Sequence, residues 1–115
     1  MSEGIRGRTF TEVAGETLAQ GRLVKYSSGA LVYADTADTA WVGVTERAAA
    51  SGDKVLCAHR NAEGTVRIEA DGAITQGALV YVLTDGKVKA SGSNAVGYAM
   101  HAAADGEFCL VMLTA

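Results

Sequence analysis

The chain has 115 residues, a formal net charge of -3 and a pI near 5.3, which is enough for one domain and lacks the basic surplus of a nucleic-acid binder. Leu, Ile, Val and Phe total 25 residues, while Ala contributes 21 and Gly 14, with no Pro, one Trp and two His. This composition supports a modest core but offers few side chains for acid–base or nucleophilic work, which argues against an enzyme.

In chain order, the first eight residues, Met-Ser-Glu-Gly-Ile-Arg-Gly-Arg, lack the apolar centre of a secretory signal. With the β-forming stretch Thr9–Val13 they read as an N-terminal arm, residues 1–13, able to become a strand when paired. A single β domain is expected over 14–115. Leu31–Tyr33 and Lys54–Cys57 are short strand candidates, and Thr65–Glu69 alternates, with Val66 and Ile68 on one face and Thr65, Arg67 and Glu69 on the other. Leu79–Leu83 follows, then Asp85-Gly86 before Val88, the clearest hairpin signal in the chain. Phe108–Leu113 is apolar on both faces, which places it at the centre of a core or at a subunit contact. Ser28-Gly29, Ser51-Gly52-Asp53, Asp71-Gly72, Ser91-Gly92 and Asp105-Gly106 punctuate these runs as turns. Ala48–Ala50 and Ala102–Ala104 favour helix, yet Gly and a strand bound each so closely that one turn is the most expected. No apolar run is longer than the six residues of Ala78–Leu83, far below the roughly 18 of a membrane span, so a soluble protein made in the cytosol is expected.

The most informative pattern is an internal duplication. Residues 42–57 and 96–111 align without gaps at a spacing of 54, with seven identities in sixteen positions, among them Val42/Val96, Gly43/Gly97, Gly52/Gly106 and Leu56/Leu110. Upstream, Gln20-Gly21-x-Leu23-Val24 recurs as Gln76-Gly77-x-Leu79-Val80 at a spacing of 56. The expected architecture is therefore all-β, a small barrel or sandwich of two similar halves, approximately 14–57 and 70–111, with the arm outside the repeat.

Candidate sites are sparse. His59 and His101 are the only neutral-pH bases; the repeat aligns His101 with Arg47, so the two hold different positions, and no nucleophile motif surrounds a serine. Cys57 and Cys109 lack the spacing of a zinc site and align with Val111 and Val55, as buried small hydrophobes would. Gly4-x-x-Gly7 and Gly52-Asp53-Lys54 lack the Lys-Ser/Thr ending of a phosphate loop, and Asp35 and Asp38 lack calcium-loop spacing. Trp41, Tyr26, Tyr33, Tyr81 and Tyr98 are dispersed, which suits core and interface packing better than a stacking platform. No catalytic residue, cofactor or metal is expected.

Gln20-Gly21-x-Leu23-Val24, Val42-Gly43-Val44 and Ala50-Ser51-Gly52-Asp53-Lys54-Val55, followed by a second copy, resemble the small phage capsid cement, or head decoration, proteins. The likeness runs from about Thr9 to the C-terminus. It implies a compact β-rich subunit, a homotrimer on the outer surface of the virion, that binds the major capsid protein lattice and contacts neither nucleic acid nor membrane. The arm is then the expected capsid contact, with Ile5, Phe10 and Val13 as apolar groups and Arg6 and Arg8 as carboxylate partners. A different expectation is a small β-barrel binding module, for carbohydrate or as an accessory domain of a larger enzyme, which would present clustered aromatic rings or a polar pocket.

Overall fold

A computed structural model describes residues 9–35, 40–60 and 65–114. Its ten strands are β1 (Thr9–Val13), β2 (Leu23–Ser27), β3 (Ala30–Tyr33), β4 (Gly43–Thr45), β5 (Lys54–His59), β6 (Thr65–Glu69), β7 (Leu79–Val82), β8 (Val88–Lys89), β9 (Ala95–Ala99) and β10 (Phe108–Leu113). They form two five-stranded antiparallel sheets, ordered β1-β5-β4-β2-β3 and β6-β10-β9-β7-β8. Adding five to each strand number of the first sheet produces the second, so the duplication read from sequence is a duplication of topology. Register follows suit: Leu23 faces Val44 and Val44 faces Ala58, as Leu79 faces Tyr98 and Tyr98 faces Met112.

Neither sheet closes into a barrel, although the edges of each touch once, through the parallel bridges Ala14–Leu31 and Ala70–Val88. The sheets pack as a sandwich of two related halves. Within the first half Ala14, Leu18, Val24, Leu31, Val55 and Cys57 form a buried cluster. Their repeat equivalents Ala70, Ile74, Val80, Val88, Cys109 and Val111 are buried in the second. Both cysteines are free thiols at these core positions, each equivalent in the repeat to a buried valine of the other half, as the alignment predicts.

The structure sharpens two sequence expectations. Thr9–Val13 is a strand of the domain, paired along its length with β5 from Thr9–Ala58 to Val13–Lys54. The repeat thus begins at β1, the counterpart of β6, five residues before the boundary suggested by identities alone. The alanine runs form no helical turn. Ala49 and Leu18 exchange N–H···O bonds of 2.8 and 2.9 Å, and Ala103 and Ile74 do likewise, because an extended bridge satisfies both groups where one helical turn would satisfy neither. Only Thr84–Gly86 is helical among the described residues, a single 3-10 turn at the tip of the β7–β8 hairpin.

Candidate functional site

The halves meet along a seam built on Arg22. Its Nε and Nη2 donate to Glu69 Oε1 at 3.2 and 3.0 Å, and its Nη1 donates to the Asp85 carbonyl at 3.0 Å. Lys87 Nζ lies 3.7 Å from the other Glu69 oxygen. The Arg22 guanidinium also sits 5.3 Å from the centre of the Tyr33 ring, whose hydroxyl accepts the Ala19 N–H. Main-chain bonds complete the contact: Glu69 N–H to the Gly21 carbonyl at 2.8 Å, and Gly86 N–H to the Ala34 carbonyl at 2.9 Å. Behind this polar border Leu23, Ala34, Trp41, Val44 and Ala58 of the first half share one buried cluster with the interior of the second.

That cluster gives the two sheets different outer faces. The cross-strand row Leu23–Val44–Ala58 is wholly buried at the seam. The equivalent row, Leu79–Tyr98–Met112, has no second seam to cover it among the described residues, and Tyr98 and Met112 are 48% and 43% exposed. Met100 and Phe108 are exposed nearby, and a Cβ on Gly21 would run into the Phe108 ring, so the patch adjoins the seam. Phe108 and Met112 extend from β10, the strand that is apolar on both faces: Cys109 and Val111 turn inward, Phe108 and Met112 outward. This aromatic and methionine surface has the composition of a protein contact rather than of a solvated sheet face.

The remaining candidates do not converge. His59 packs against Phe10 in a tilted arrangement with ring centres 5.0 Å apart, its Nε2 buried without a hydrogen-bond partner among the described residues. His101 is exposed in the other half, its Nδ1 2.8 Å from the Ala102 carbonyl. Burial, with a smaller contribution from the Glu46 carboxylate, pushes the Cys57 thiol up to about 12, and burial raises Cys109 as well, the reverse of what a reactive thiolate needs. A cleft of about 320 Å³ separates Thr9, Gln20 and Glu46 from Thr65, Arg67 and Leu110, with no aromatic ring among its described lining residues. Among the described residues no group of three His, Cys, Asp or Glu is placed to hold a metal ion.

The sequence matches the family of phage cement proteins over residues 1–113. The chain belongs to that family. In solved structures the fold is similar to the base of the head fiber gp8.5 of bacteriophage phi29, with a TM-score of 0.76, 19% identity and 92% of each chain covered. No curated protein matches at a significant level. This cement-family chain is therefore a phage structural protein, a virion component with an all-β fold shared with a head fiber base.

Of the contact residues named from sequence, Ile5, Arg6 and Arg8 lie outside the described residues. Phe10 and Val13 are placed by β1. The Phe10 ring turns inward, against the first-half core and His59, while Val13 is 36% exposed at the strand end. Sequence reasoning missed the exposed Tyr98–Met112 row. Its only trace was the two-faced apolar run at the C-terminus.

Proposed function

We propose that this protein is a capsid cement subunit: a homotrimer that binds the outer surface of the expanded phage head and ties together neighbouring copies of the major capsid protein. Family membership carries this reading, and the exposed Tyr98–Met112 face supports it by supplying an association surface. No catalytic step is assigned to the chain.

The mechanism is linkage. A subunit that binds only the expanded lattice stabilises that state, by about 2.7 kcal/mol per site when its free concentration is a hundred times Kd. A trimer gripping several capsid subunits at once adds avidity without new contacts. The capsid contact falls to the N-terminal segment, with Ile5 as the apolar group and Arg6 and Arg8 as partners for carboxylates. Phe10 serves that segment indirectly, as the inward anchor that ties β1 to the core.

Co-sedimentation with empty expanded heads tests the reading. The full chain is expected to pellet with heads, and a form lacking residues 2–8, which keeps β1, is expected to remain folded and self-associated but to stay in the supernatant. Full decoration by the shortened form would refute the assignment of the segment, and a full chain that ignores heads would refute the function.

A further inference from the structure

We propose that a second copy of this chain docks head to tail on the Leu79–Tyr98–Met112 face, repeating between protomers the contact that joins the halves within one. The inference rests on the homotrimer reading above and names its contact. Within the chain, the receiving surface is Gly21, Arg22 and the row Leu23–Val44–Ala58, and the inserted end carries Ile68, Glu69, Val82 and the Thr84–Gly86 turn. The repeat places Gly77, Ala78 and the row Leu79–Tyr98–Met112 at the receiving positions of the second half. It places Glu12, Val13, Tyr26 and the Ser28-Gly29 turn at the inserted positions of the first. Gly21 is buried where Gly77 is exposed, and Val82 is buried where Tyr26 is 47% exposed. One chain therefore carries one internal contact and an open copy of each of its two surfaces.

The main chain is set for the same bond. Ala70 donates to Glu107 across the β6–β10 pair, and since N–H direction alternates along a strand, Glu69 points outward and reaches Gly21. Ala14 donates to Asp53 across the β1–β5 pair, so the Val13 N–H points outward from the edge of β1 in the same way. Its equivalent acceptor is the Gly77 carbonyl of a neighbouring copy.

The side chains change in matched pairs. The ion pair Arg22–Glu69 at the internal seam becomes Ala78 and Val13 at the open surfaces. Had one member alone changed, docking would bury an unpaired charge; with both changed, this pair of positions is apolar on both sides. Val44 and Ala58 are replaced by the larger Tyr98 and Met112, residue types enriched at protein interfaces. Conversely, Ile68 and Val82 are replaced by Glu12 and Tyr26, and the Tyr26 hydroxyl donates to the Glu12 carboxylate at 3.2 Å. The inserted end of the first half is thus satisfied in water before it docks, as a subunit made free and assembled later requires. A contact between two different surfaces closes into a ring or extends into a fibre. The homotrimer is the closed form.

Cysteine cross-linking tests the contact in the full chain. Cys57→Val and Cys109→Val first remove the native thiols, each taking the residue found at its repeat equivalent. Adding Val13→Cys and Ala78→Cys together is expected to produce a covalent trimer on mild oxidation. A mixture of the two single variants should stop at covalent dimers, and neither single variant should cross-link alone. A trimer by sedimentation without these cross-links, or a Tyr98→Cys variant that cross-links to itself, would overturn the inference and leave the trimer standing. A protein that stays monomeric at all concentrations would overturn both.

Discussion

The two halves share strand order, register and buried positions, yet the same row of the same sheet is core in one half and surface in the other. Leu23, Val44 and Ala58 are fully buried; Leu79, Tyr98 and Met112 stand at an open face. The difference does not arise within either half. It arises because the second half packs the end that carries Ile68 and Val82 against the first, and among the described residues no third element covers the equivalent row of the second. A duplicated fold that stacks in one direction necessarily ends with one covered and one uncovered copy of each surface. For a protein of a phage cement family, that remainder is a ready place for assembly.

The sharpest way to break the comparison is at the hairpin tips. Gly29 and Gly86 occupy the same repeat position with φ of +83° and +72°, so alanine strains the backbone at both, by about 1 kcal/mol. At Gly29 the added Cβ meets open space, whereas at Gly86 it meets the main chain of Leu23. Gly86→Ala should therefore cost about 3 kcal/mol or more by urea denaturation, and Gly29→Ala only about 1. Equal losses would mean that the seam does not hold the second hairpin.

The outer rows provide the next contrast. Val44→Ala removes buried methyls at the seam and is expected to cost about 1–2 kcal/mol of folding stability with little direct effect on association. Tyr98→Ala should change subunit stability by about 0.5 kcal/mol or less, while weakening self-association at least about tenfold in sedimentation equilibrium. The seam ion pair comes third: Arg22→Met should cost about 1–2 kcal/mol, because Glu69 keeps only the longer contact with Lys87 and the Asp85 carbonyl loses its donor.

The cysteines give the smallest effect at neutral pH. Exchanging both for valine should change stability by less than about 1 kcal/mol at pH 7, since a valine already holds the equivalent position of each in the repeat. Above pH 9 the variants should diverge. The folded Cys57 thiol holds its proton up to about 12, while the unfolded thiol ionises near its ordinary value of 9.0, so the native protein loses stability as pH rises between them. Replacing Cys57 should remove up to about 1.4 kcal/mol per pH unit of that decline, measurable by thermal melts at pH 8 and pH 10.

How much of this was legible beforehand can be read residue by residue. Gly29 and Gly86 were visible because a turn with left-handed backbone demands a specific residue type, and the cysteines because the repeat pairs each with a valine. β1 was not seen as part of the repeat, because Thr9–Val13 shares with Thr65–Glu69 only its first threonine, and Glu12 stands where Ile68 does. Pairing with β5, more than forty residues away, identifies it as a strand, and no local pattern encodes that partner. The inward direction of Phe10 was open for the same reason: alternation in an edge strand does not say which face is inside.

The sequence by itself determined the class of fold, its twofold internal repetition, the turns that delimit the strands and the poverty of chemical groups. Each of these depends on local conformational preference or on periodic burial, which residue types express directly. Only the tertiary structure decided which copy of the repeated sheet face is covered, that the chain's ion-paired seam runs through Arg22 and Glu69, and that Tyr98 and Met112 look outward. Those follow from the direction in which one half stacks on the other, a property of shape and contact between distant segments that no stretch of sequence carries alone.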